Sequence, residues 1–345
     1  MQPRTLLRAG LRALSKVALA ALTLGVLGTC GLRASLSEDA ADPAPREAQP
    51  LSPEVAARFA YPEAGTPAVE VSRFKVEPGA LYTSAWVHLL VTTPGEAQPH
   101  TVQVIHYLPA GLQAPAPAVV ISPILGGSGE LARSAAAAFA LRGVHAAIVL
   151  KAESYFDATA PPGRLERVLR TAVVDRQRAL DWLAGRDDVD PLALGAFGAS
   201  MGGVITTLLA AVDPRVRVSA IALAGGDLPT IVATSEEPRV ARFARELGYG
   251  PGRDRAPLIA LVRGGLQSDP LDLARAVDPR RVLFVESTAD RDMPSAQQTQ
   301  LYEALGRPAR IRIPTGHYAA VAYWPYLVTR VSGFLARELE RTPAR

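Results

Sequence analysis

Ser200 stands in Gly198-Ala199-Ser200-Met201-Gly202, a Gly-x-Ser-x-Gly pentapeptide between two apolar runs, and residue types in that pattern suit a serine nucleophile. Upstream, Asp190-Pro191 reads as a turn and 192–197 as a short buried strand. Downstream, 204–211 is an apolar, helix-compatible run ending near Asp213-Pro214. A serine on a sharp turn from strand to helix has its hydroxyl lifted clear of the sheet edge. Glycines must flank it, because a Cβ at 198 or 202 would collide with neighbouring backbone. The same turn aims the first N–H groups of the helix at the place where negative charge develops in acyl transfer, which makes the Met201 N–H a candidate oxyanion donor.

A serine hydroxyl needs a base to take its proton, and the base needs an acid to orient it. Of five histidines, His88, His100, His106 and His145 precede Ser200; only His317 follows it, in a loop after the strand-like 310–313. Between serine and histidine, the apolar strand 281–286 runs into a loop that carries Asp290 and Asp292. An orienting acid belongs at such a strand's C-terminal end, and the aspartate without that role would be a turn carboxylate bonded to its own backbone. A second oxyanion donor is expected from the loop after the strand 118–122, where Ile124 and Leu125 offer N–H groups before Gly126-Gly127-Ser128-Gly129. No Gly-Lys-Ser/Thr follows, so a phosphate cradle finds no support.

The order Ser200, Asp290, His317, each after a strand, resembles the nucleophile, acid, base order of α/β-hydrolases. Asp175, Asp181-Trp182-Leu183, Asp190 and Gly198-Ala-Ser-Met-Gly-Gly203 further resemble the dienelactone-hydrolase and prolyl-oligopeptidase-like serine esterases, over about 100–340. The resemblance implies an α/β-hydrolase fold and a carboxylesterase acting on small-molecule esters, with no metal or organic cofactor. It also favours Asp290 over Asp292, since the acid of that group stands four residues before a proline, here Pro294. Where His-Gly is common after the early strand, this chain has Ser122-Pro123, which leaves the second donor open between Ile124 and Leu125. An amidase or peptidase of the same fold is the alternative within enzymes. An envelope-associated binding protein without turnover is the alternative outside them.

Those residues require a sheet to carry them. Strands are expected at 101–107, 118–121, 144–150, 192–197, 218–223, 282–285 and 310–313, with helices at 131–142, 164–185, 204–211, 295–305 and 325–340. The alternation predicts a mostly parallel central sheet with helices on both faces, and 69–76 and 85–93 add antiparallel strands at its leading edge. Residues 227–280 exceed an ordinary crossover and read as a helical cap insertion. Its charged segment 236–247 is either a lid or a solvated helix, with charge pairs favouring the latter.

The chain begins with Arg4, Arg8, Arg12 and Lys16, no acidic residue, and an apolar run 17–27 ending in Gly28-Thr29-Cys30. This reads as an export signal over 1–36, too short for a comfortable membrane span. The protein is expected outside the cytoplasm: periplasmic, secreted, or held at a membrane through its N-terminus, by an uncleaved signal or by lipidation of Cys30, the single cysteine. The Pro-, Ala- and Glu-rich 37–67 is expected to be a flexible spacer before a domain at 68–345. Without residues 1–29 the formal net charge of +4 becomes zero, with 33 basic against 33 acidic residues, so nucleic acid is not an expected partner.

Overall fold

A computed structural model of the chain describes residues 36–42, 46–61, 64–93, 98–126, 129–151, 153–160 and 163–341. The signal-like start, Cys30 included, lies outside the described residues, as do Gly127 and Ser128.

Among the described residues ten strands form one sheet: β1 (Ser37–Asp39), β2 (Val69–Pro78), β3 (Tyr82–Val91), β4 (His100–Pro109), β5 (Ala116–Ser122), β6 (His145–Val149), β7 (Val189–Ala199), β8 (Val216–Ala222), β9 (Val282–Ser287) and β10 (Ala309–Ile313). Their spatial order is β1-β10-β9-β8-β7-β5-β6-β4-β3-β2. From β6 to β10 every pairing is parallel, whereas β2, β3 and β4 join antiparallel at one end and β1 at the other. The central strands are apolar on both faces because both are covered. In β9, Val282 and Phe284 face one core while Leu283 and Val285 face the other; Ala118 and Val120 against Val119 and Ile121 do the same in β5.

The helices are α1 (Pro53–Arg58), α2 (Glu130–Ala140), α3 (Arg164–Ala184), α4 (Met201–Val212), α5 (Leu228–Thr234), α6 (Pro238–Glu246), α7 (Ala256–Gly265), α8 (Pro270–Leu273), α9 (Ser295–Ala304) and α10 (Trp324–Glu340). Helices α2 and α10 pack on one face; α3, α4 and α9 cover the other. Along α3, Val168, Leu169, Val173, Leu180 and Leu183 are buried in the core beside the sheet, and Arg176 is buried with them. That guanidinium donates to Ser122 Oγ (2.9 Å), Ala172 O (2.8 Å) and Val149 O (3.0 Å).

Two expectations require correction. The segment 37–67 is not a free spacer where it is described. Its β1 pairs with β10, Phe59 is buried, Tyr61 Oη donates to the buried Asp181 (3.2 Å), and Arg46 donates to the carbonyls of Ala274, Arg275 and Ala304. Proline and glutamate lower the chain's own preference for structure, but contacts distant in sequence override it here. Helix α6 is not merely solvated either. Arg242 pairs with Glu246 (2.6 Å) on the outer side, while Val240 and Ala244 are buried and Glu237, its N-cap, faces the site described below.

The insertion between β8 and β9 is fastened by two carboxylates. Asp269 accepts from the N–H groups of Asp227 (2.9 Å), Leu228 (2.6 Å) and Leu271 (2.9 Å), and Glu166 of α3 accepts from Gln267 N, Ser268 N and Ser268 Oγ (2.7–2.9 Å). Burial raises the Asp269 carboxyl above its ordinary range, opposed by those backbone donors. Such satisfied buried acceptors fix the path of an otherwise irregular segment.

His106 and His145 form a buried pair. With both rings neutral, His145 Nε2 donates to Asp188 O (3.0 Å) and its Nδ1 accepts from His106 Nε2 (3.1 Å). Burial lowers both below the ordinary 6.5, His106 farthest. Once unfolded, each ring takes up a proton near pH 6.5 that the native state refuses, so the unfolded chain binds more protons below that pH. Stability present above about pH 6.5 is therefore lost on acidification, by up to about 1.4 kcal/mol per pH unit for each ring. Urea unfolding at pH 7.5 and 5.5 is expected to show this loss, and to show less of it in a His106→Asn, His145→Asn double variant. Equal losses in the two proteins would contradict the assignment.

Candidate active site

The turn from β7 to α4 bends at Ser200, whose φ of 57° and ψ of −126° lie outside the regions a non-glycine residue prefers. Ser200 N donates to Ala222 O (2.8 Å), which ties the strained residue to the end of β8. As expected from the sequence, a Cβ on Gly198 would overlap the carbonyl of Gly202, and a Cβ on Gly202 would overlap the carbonyl of Ser122 at the end of β5. Gly202→Ala is therefore expected to destabilise the fold by about 3 kcal/mol or more, read as a fall in the denaturation midpoint. A variant as stable as wild type would mean that β5 and α4 pack less tightly than this.

His317 follows β10 in a loop, and its two nitrogens are both engaged. Nδ1 donates to Asp290 Oδ2 (2.7 Å), and Ser200 Oγ donates to Nε2 (2.9 Å). Asp290, buried in the loop after β9, also accepts at Oδ1 from the N–H groups of Asp292 and Met293 (both 2.9 Å) and at Oδ2 from Gln298 Nε2 (2.9 Å). Thus Ser200, His317 and Asp290 meet in one chain of hydrogen bonds. Asp292 contributes its backbone N–H to that chain and not its carboxyl. Its side chain lines the same pocket, where burial first and then the nearby Asp290 and Glu237 raise it above the usual carboxylate range against the pull of His317.

The oxyanion candidates line the cavities that border Ser200. Met201 is the first residue of α4, so its N–H has no carbonyl to accept it within that helix. Ile124 and Leu125 line a cavity with Ser200 and His317, Leu125 on both sides of the serine. Two cations hold the loop that carries them. Arg176 Nε donates to Ser122 Oγ (2.9 Å), and Lys151 Nζ donates to Leu125 O (3.1 Å). Burial, then the neighbouring Arg239, lowers the Lys151 ammonium below its usual value.

Other residues at the site are not apparent from the sequence. Gln298 reaches Asp290 from α9 and also donates to Met293 O (2.7 Å); nothing distinguishes it from any helix-surface glutamine in one dimension. Glu237 is a buried carboxylate bonded to Arg239 N (2.7 Å), Val240 N (2.9 Å) and Tyr318 Oη (3.3 Å), and it joins the insertion to the loop of His317. Burial and Glu237 raise the Tyr318 phenol above its ordinary value.

No family model matches the chain, and no curated protein matches its sequence. Solved structures do match. An acetyl xylan esterase from Paenibacillus sp. R4 superposes with a TM-score of 0.57 at 16% identity, over 83% of this chain and 97% of that one. Acetyl xylan esterase 1 from Thermoanaerobacterium sp. JW/SL YS485 gives 0.54 at 13%, over 82% and 95%. A cold-adapted esterase from an Arctic intertidal metagenomic library gives 0.50 at 18%, over 76% and 100%. At such identities the likeness carries architecture, and with the sheet order above it leads to one statement: the chain has the α/β-hydrolase fold.

Proposed function

We propose that the protein is a serine hydrolase that cleaves carboxylic esters of small molecules through an acyl-enzyme. The observation that carries this is the hydrogen-bonded series Ser200 Oγ, His317 Nε2, His317 Nδ1, Asp290 Oδ2 beside an apolar cavity. Ser200 Oγ attacks the ester carbonyl carbon while His317 Nε2 takes its proton, and Asp290 holds the ring in the tautomer that makes this possible. The N–H groups of Met201 and of Ile124 or Leu125 receive the oxyanion. Collapse of the tetrahedral adduct breaks the bond to the leaving oxygen, which takes the proton from His317. Water then gives a proton to His317 and attacks the acyl carbon; as this second adduct collapses, the bond to Ser200 Oγ breaks, Oγ takes the proton from His317, and the acid leaves.

Its fold-level likeness to esterases supports esters over amides. Matched substrates test this: p-nitrophenyl acetate is expected to turn over at least a thousandfold faster than p-nitroacetanilide. Comparable rates would favour the amidase reading, and no turnover of either would favour a binding protein. The basic-then-apolar N-terminus supports export, and the proposal extends to a protein that is periplasmic, secreted, or held at a membrane through an uncleaved signal or a lipidated Cys30.

A further inference from the structure

Two cavities of unequal size meet at Ser200. One, about 430 Å³, is walled by Phe197, Leu223, Val285, Trp324, Leu327 and Val331, with Ser200 and His317 at one side. The other is a recess of about 30 Å³ bounded by Met201, Leu228, Ile231 and Val232 together with Ser200 and His317. A third cavity, about 560 Å³, shares Ile124, Leu125 and Gly126 but has neither Ser200 nor His317 among its described lining residues.

An ester divides at the reacting carbon, and chemistry assigns its halves. The acyl half stays covalently attached to Ser200, with its oxygen held at Met201 N–H. The leaving oxygen must lie where His317 Nε2 can protonate it. Met201 bounds only the small recess of these two, Ile124 only the large cavity and Leu125 both, so the oxyanion donors stand where the two cavities meet. The residues following His317, namely Tyr318, Ala320 and Val321, bound the large cavity. The recess has room for about two water-sized groups, which suits an acetyl or propionyl chain. The large cavity is an order of magnitude bigger. Among its described lining residues the polar side chains, apart from Trp324, are the reacting residues themselves and Glu237, Arg239 and Tyr318, of which Glu237 is bonded to the other two. The Trp324 Nε1–H is already donated to Ser134 Oγ (2.8 Å). Most of the wall is hydrocarbon, against which an aromatic or branched alcohol buries apolar surface that a sugar's hydroxyls would not.

Resting on the hydrolase reading above, we infer that the substrates are short-acyl esters of bulky apolar alcohols, with the acyl group in the recess by Met201 and the alcohol in the cavity under Trp324. Sequence alone misses this because the large cavity draws on β7, β8, β9 and α10, and Leu223 turns into it with a φ of 47°.

The test uses purified protein that reacts with a fluorophosphonate probe at Ser200, which establishes the hydrolase reading separately. Across p-nitrophenyl acetate, butyrate and octanoate, kcat/KM is expected to fall at least tenfold by butyrate and further by octanoate. Among acetates, 1-naphthyl acetate is expected to exceed an acetylated methyl glucoside at least a hundredfold. Ile231→Ala should raise the butyrate-to-acetate ratio about tenfold. Val331→Phe inside the large cavity, or Val321→Trp at its exposed mouth where folding is not at stake, should lower the ratio of 1-naphthyl to ethyl acetate turnover tenfold. Labelled enzyme that prefers octanoate, or prefers the acetylated glucoside, overturns the assignment while leaving the hydrolase standing. Absence of both labelling and turnover removes the reading and this inference with it.

Discussion

Ser200→Ala is expected to lower kcat on p-nitrophenyl acetate by about 10⁴-fold or more while leaving the unfolding midpoint at or above that of wild type. The size follows from what the side chain does in the proposed reaction: without Oγ no acyl-enzyme forms, and only oxyanion donors and binding remain to help water. The stability follows from the backbone, because φ is 57° at Ser200 and the residue is fixed by Ser200 N to Ala222 O and by packing of the flanking glycines, none of which needs the hydroxyl. Stopped-flow rates and a thermal melt on the same preparation check both halves. Residual activity within tenfold of wild type would require a different nucleophile.

Asp290→Asn is expected to cost about 10⁴-fold in kcat, against less than about tenfold for Asp292→Asn. In wild type Asp290 Oδ2 accepts from His317 Nδ1, which leaves Nε2 free to take the serine proton. An asparagine that donates to Nδ1 instead selects the opposite tautomer, whose Nε2 carries a hydrogen and cannot act as base. Asp292 makes its contribution to this network through its N–H, which the asparagine keeps. Equal losses in the two variants, measured with p-nitrophenyl acetate at pH 8, would contradict the assignment of Asp290.

Much of this site is legible in one dimension because its requirements are local. A serine on a strained turn needs small neighbours at 198 and 202, an acid and a base need strand ends to stand on, and buried parallel strands need apolar runs such as 118–121 and 282–285. The sheet and its helices were readable for the same reason. What the sequence hides depends on partners far along the chain. Arg46 is an unremarkable cation until the carbonyls of Ala274, Arg275 and Ala304 surround it, and Tyr61 gives no sign of Asp181. The segment containing them therefore reads as spacer by composition, although its described parts are bound to the domain. Gln298, Arg176 and Glu237 escape notice likewise. Each is a common residue on a helix or at its start, and only the folded chain brings it to Asp290, Ser122 or Tyr318.

The central claim is that Ser200 is a nucleophile activated by His317. Its most direct test is reaction of the purified protein with a fluorophosphonate probe, the modified peptide then being identified by mass spectrometry in wild type, Ser200→Ala and His317→Ala. The account predicts a single adduct on Ser200 in wild type, none in Ser200→Ala, and labelling at least a hundredfold slower in His317→Ala. An adduct on another serine, or labelling of Ser200 at the wild-type rate without His317, would contradict it.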